Sequence, residues 1–143
     1  MANQADNLNN LLKGELSAVQ TYCMALDKAK TPNVVEVLSE NKCCHEKRVE
    51  KLSQLVLNAG GEPVTESGAW GAFAKTVEAG SAVLGESPAI GSLQEGEDHG
   101  IELYKAEMKH LEPGTLAIVE QELFPAQQRT QEAISNLKPD KGN

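Results

Sequence analysis

Residues 8–26, LNNLLKGELSAVQTYCMAL, decide the fold. Leu8, Leu11, Leu12, Val19, Tyr22 and Leu26 recur at spacings of three and four, the period of one helix face, and Glu15 stands in the middle of that stripe. Two further segments repeat the rhythm around a polar residue. Val34, Leu38, Asn41, Val49, Leu52 and Val56 flank His45, and Ile90, Leu93, Ile101, Tyr104 and Met108 flank Glu97. An ionised carboxylate inside an apolar stripe costs on the order of several kcal/mol unless a cation, a hydrogen-bond donor or a proton compensates it. Carboxylates and imidazoles facing a helix-bundle core are also what a buried metal site needs.

The chain has 143 residues, enough for one domain with its own core and no disulfide support. Aromatic residues are only 3% of it, while Ala, Leu, Glu, Lys and Gln are plentiful, so an all-α protein is expected. A net charge of −8 and a pI near 4.9 repel a phosphate backbone, and no basic cluster offsets them; nucleic acid is not an expected partner. No stretch approaches the roughly 20 apolar residues of a membrane span. The polar start, Met1 to Asn9, has no secretory-signal pattern, which points to the cytoplasm. Cys23, Cys43 and Cys44 cannot all pair within one chain and read as reduced thiols packed like small hydrophobes.

Breakers divide the chain into four long helices. Helix A is expected over 5–30 with Asp6 as N-cap, and helix B over 32–59, opened by Thr31-Pro32 and closed by Ala59-Gly60-Gly61. Helix C is expected over 88–111 after the Ser87-Pro88 pair, and helix D over 114–137, interrupted or kinked at Pro125. Between B and C, residues 60–87 are too long for a turn and are expected to hold a short amphipathic helix at 69–84, with Trp70 and Phe73 expected against a bundle end or a subunit interface. Short loop, long crossover, short loop is the connectivity of a ferritin-like four-helix bundle.

Residues equidistant from a hairpin turn lie at one height. With turns near positions 30 and 112, Glu15 is level with His45, and Glu97 with Gln127. A di-iron carboxylate site needs one Glu from each of two helices and a Glu-x-x-His from each of the other two. Glu15 and Glu97 meet the first requirement. Lys42 stands three residues before His45, where a carboxylate is needed, and helix D offers Gln127, Gln128 and Gln131 with no histidine. Lys42 has no acceptor and is expected to pair with Glu15 or Glu97 instead. The candidate metal set is therefore Glu15, His45 and Glu97, with Glu122, Gln127 and Gln131 as weaker members and Tyr22, Lys42 and Tyr104 beside it. Such a set suits one Fe²⁺, Mn²⁺ or Zn²⁺ ion better than a ferroxidase pair. His99 lies about 200° around the helix from Glu97 and is expected at the surface. His110 sits near a helix C-terminus, where a cation is favoured.

The stretches LNNLLKGELSAVQTY, HEKRVEKLSQLVLNAGGEP, SGAWGAF, LQEGEDHGIELY and ELFPAQQRTQEAISNL resemble the ferritin-like superfamily, and within it an uncharacterised bacterial branch known as a domain of unknown function. The resemblance implies a four-helix ferritin-like fold with Glu15, His45 and Glu97 at positions where relatives keep bundle-facing polar groups. It implies no reaction.

Two readings follow. In the first, the protein binds a divalent ion in the bundle core through a partial carboxylate and histidine site. In the second, it is a non-catalytic bundle that acts by oligomerising, as a homodimer or larger, or by binding a partner, and keeps the core polar groups as a hydrogen-bonded remnant. A stress-response role would rest on fold analogy alone.

Overall fold

The computed structural model describes residues 3–67 and 85–137, and among them every regular element is helical. In order these are α1 (Gln4–Lys28), α2 (Pro32–Asn58), α3 (Glu86–Met108), α4 (Pro113–Ile118), a π-helical turn (Val119–Leu123) and α5 (Phe124–Ser135). The short helix expected at 69–84, Trp70 and Phe73, and the chain end after Leu137 lie outside the described residues.

Helix α1 packs on α2 and α3, and α5 packs on α3 and α2, so the long helices close a ring around one core. That core has three layers. An apolar layer at one end includes Leu8, Leu11, Leu12, Leu52, Val56 and Leu123. Another at the opposite end includes Ala25, Val34, Leu38, Ile90, Leu93 and Ile134. Between them lie the buried polar side chains Glu15, Asn41, His45, Arg48, Glu97, Gln127 and Thr130.

The helix ends differ from expectation where a long-range partner decides them. Asn3, not Asp6, caps α1: its side chain accepts the Asp6 N–H at 3.0 Å, which leaves Asp6 in the first turn. At the C-terminus of α2, the Gly61 N–H reaches Val56 O and the Gly60 N–H reaches Leu57 O, both at 3.0 Å, a Schellman closure for which Gly60 supplies φ 85°. Helix α3 starts at Glu86 rather than at Pro88, behind Gly85 at φ 91°. Pro88 then falls in the first turn, where its missing N–H leaves no intrahelical bond unmade.

Thr31 precedes Pro32 as the spacing suggests, but its side chain caps nothing in α2. It serves another contact. The Glu86 carboxylate accepts the Lys30 N–H (2.6 Å), the Thr31 N–H (2.9 Å) and the Thr31 hydroxyl (2.9 Å), tying the α1–α2 connection to the start of α3. The backbone N–H groups of Thr31 and Lys30 hold the Glu86 carboxyl below its usual range. Glu86→Ala is expected to lower stability by about 1 kcal/mol, because the site is partly solvated and water replaces the lost bonds. A urea midpoint unchanged from wild type would show the tie to be idle.

Pro125 does not simply kink its helix. It cannot donate a backbone hydrogen bond, and one turn before it the helix widens to π geometry, with the Phe124 N–H reaching Val119 O five residues back. The wider turn rotates the following residues so that Ala126, Gln127, Thr130 and Ile134 face the core.

Candidate functional site

Every long helix contributes to the polar layer. His45, from α2, sits at its centre with Nδ1 2.5 Å from Glu15 Oε1 on α1 and Nε2 2.8 Å from Glu97 Oε2 on α3. One imidazole thus bridges two carboxylates. Tyr104 donates to Glu15 Oε2 at 2.6 Å, and Tyr22 donates to Glu97 Oε2. Asn41 Nδ2 donates to the Tyr22 hydroxyl at 2.9 Å and to Thr130 O at 3.0 Å. On the α5 side, Gln127 Nε2 and the Thr130 hydroxyl each donate to Glu97 Oε1 at 2.9 Å. Gln127 reaches this position over Gly100, where a Cβ would collide with its amide.

Arg48 completes the set. Three residues after His45 on the same face, it is only 2% exposed. Its Nε lies 3.1 Å from Glu15 Oε2, within ion-pair distance, yet the N–H is not aligned as a hydrogen bond, and Nη1 has no partner among the described residues. Its Nη2 lies against the His45 ring, 2.9 Å from Nε2, and donates to Thr130 Oγ1 at 3.2 Å.

The electrostatics follow from this packing. Burial pushes the Glu15 carboxyl up, but Arg48, His45 and the Tyr104 hydroxyl outweigh it and hold the group at about 2. Burial also works against a charged His45, and Glu15 and Glu97 reverse the balance, so its pKa is raised. Burial, then the neighbouring carboxylates, push both tyrosines well above their ordinary value and keep them protonated as donors. With His45 an imidazolium, two carboxylates meet two cations and the layer is neutral.

Glu15, His45, Glu97, Tyr22 and Tyr104 therefore come together as the stripes suggest, joined by Gln127 at the height the hairpin rule gives it, while three other candidates do not. Lys42 pairs with Glu46 at 3.3 Å on the α2 surface, because Asn41 and His45 take the inward positions and Lys42 is turned about 100° from Asn41. Its expected pairing with Glu15 or Glu97 falls to Arg48. Glu122 is exposed, 3.7 Å from Lys51, and Gln131 donates to Asp98 at 2.8 Å on the surface. His99 and His110 are exposed, and so are Cys23 and Cys43, which corrects the expectation that those thiols pack inside. A cavity of about 40 Å³ follows the α1–α3 seam; Leu11, Gly14, Ala18, Gly96 and Leu103 wall it, and it reaches Glu15, His45 and Glu97.

A metal site gathers donor lone pairs on one point, roughly 2.0–2.2 Å from each nitrogen or oxygen. Here the two ring nitrogens of His45 address carboxylates on different helices, and a guanidinium stands against both Glu15 and the ring. Among the described residues no group of three or more His, Cys, Asp or Glu side chains is arranged to hold a metal ion. As placed, the residues do not fit one.

Among the described residues, fold and site define a helical bundle whose core sets two carboxylates against His45 and Arg48. The chain belongs to the family described as Domain of unknown function (DUF2383), whose model matches residues 3–110 and so includes Glu15, His45, Arg48 and Glu97 but not Gln127 or Thr130. No curated protein and no solved structure matches it. Among the described residues no helix is long and apolar enough to cross a membrane.

Proposed function

We propose that this domain is a non-catalytic helical bundle that works through its surface, by self-association or by binding a partner, and that Glu15, His45, Arg48 and Glu97 are an internal ion cluster that fixes the mutual register of its helices. The observation that carries this reading is the arrangement of His45, both of whose nitrogens are engaged by carboxylates while Arg48 supplies the remaining charge. An imidazole so held has no free lone pair for a substrate proton or a ligand bond. The antiparallel α1–α2 hairpin and the long link before α3 support a ferritin-like arrangement in which the cluster takes the place of the metals.

The competing reading is one Fe²⁺, Mn²⁺ or Zn²⁺ ion held by Glu15, His45 and Glu97. What favours it is the cavity that reaches those three side chains. The two readings separate on metal content. After anaerobic loading with each ion in turn and desalting, the protein is expected to retain none, and its Tm is expected to be the same with and without a chelator. One ion retained per chain would replace the ion-cluster reading with the metal one.

A further inference from the structure

Arg48 is buried in a place where it uses little of its hydrogen-bonding capacity. A buried arginine is ordinarily held by its planar fork, which gives aligned N–H bonds to a carboxylate. Arg48 makes no such bond: Nε faces Glu15 without alignment, Nη1 has no acceptor among the described residues, and Nη2 lies against both nitrogens of the His45 ring and donates to a threonine hydroxyl. What it brings to the layer is a positive charge beside Glu15 and His45.

We propose that Arg48 is the resident cation of this layer, that it excludes divalent metal ions from Glu15, His45 and Glu97, and that removing its charge turns those three side chains into ligands for one such ion. The proposal rests on the ion-cluster reading above. Without Arg48, two carboxylates face a single imidazole. A divalent ion would cancel both carboxylate charges, His45 would give up its second proton, and a ring nitrogen would become a ligand. Removal of the guanidinium also clears the space against Glu15 and the His45 ring that it now fills.

The test compares wild type, Arg48→Gln and Arg48→Lys, each loaded with Mn²⁺ or Zn²⁺, desalted, and measured for metal content and for Tm against metal concentration. Arg48→Gln is expected to retain about one ion per chain and to gain Tm as metal is added, because an ion that binds only the folded state stabilises it. Wild type and Arg48→Lys, which keep the charge, are expected to retain none. Should Arg48→Gln be unfolded without metal, it is expected to recover its far-ultraviolet helical signal on refolding with Mn²⁺ or Zn²⁺. A glutamine variant that folds and retains no ion, or stays unfolded with metal present, overturns the proposal, as does metal retention by Arg48→Lys. Metal retention by wild type instead overturns the ion-cluster reading beneath it.

Discussion

Arg48→Met, measured with a chelator present, is expected to destabilise the protein by about 3–5 kcal/mol, the usual cost of removing one partner from a buried ion pair. The loss is read as a lower urea midpoint at an unchanged slope. Methionine fills much of the same space, so the cost is electrostatic rather than a cavity. Glu15 and Glu97 are left with His45 as their only charged partner, and burial keeps water from making up the difference. Adding Glu15→Gln to the methionine variant restores the balance, with Glu97 against a protonated His45. The double variant is therefore expected to be more stable than Arg48→Met alone, and a cycle through both single variants should give a coupling of about 2 kcal/mol or more between residues 15 and 48. Additive losses would mean that the two side chains ignore each other's charge.

The same charge count explains what was legible before the structure and what was not. Stripes of period three and four put Glu15, His45 and Glu97 on inward faces, because helix geometry alone sets those positions, and the hairpin rule gives Gln127 only its height beside Glu97. Arg48 escaped for a local reason. After His45 the inner face of α2 can pass through residue 48 or residue 49 on its way to Leu52, and apolar character favours Val49. In the folded chain Arg48 is buried and Val49 is only partly so. The signal that could have found it is the balance of charge: two core carboxylates and one imidazole call for another cation within a turn. Lys42 is also three residues from His45, but it falls on the other side of the ring, beside Asn41, where it meets Glu46 at the surface.

Thr130 was hidden by a different cause. Its inward position depends on the π turn at Val119–Leu123, and a regular helix of the same sequence would carry residues after Pro125 around by a different angle. The Glu86 contact was equally invisible, since its partners are backbone groups 55 and 56 residues away in the chain. Periodicity reports which face a residue is on. It does not report bulges or bonds that the tertiary structure makes at helix ends.

Stability is expected to fall at both ends of the pH scale, each fall belonging to a different member of the cluster. Glu15 has a folded pKa of about 2 against an ordinary 4.5, so its contribution is complete above 4.5 and disappears as pH drops through 2. A depression of that size corresponds to about 3 kcal/mol. His45 behaves in the opposite sense. Its folded pKa is raised above 6.5, so its contribution is complete below that value and is lost as pH rises through the folded value. Loss of the His45 proton leaves Glu15 and Glu97 facing Arg48 alone, with one uncompensated negative charge in the core. Urea midpoints measured from pH 2 to pH 10 should therefore show a plateau around pH 5 to 6 with a decline on each side. His45→Gln, which cannot titrate, should lose the alkaline decline that belongs to the imidazole and keep the acid one. If the variant's alkaline decline matched that of wild type, His45 would already be neutral in the native protein, and Arg48 would be the layer's sole compensating cation.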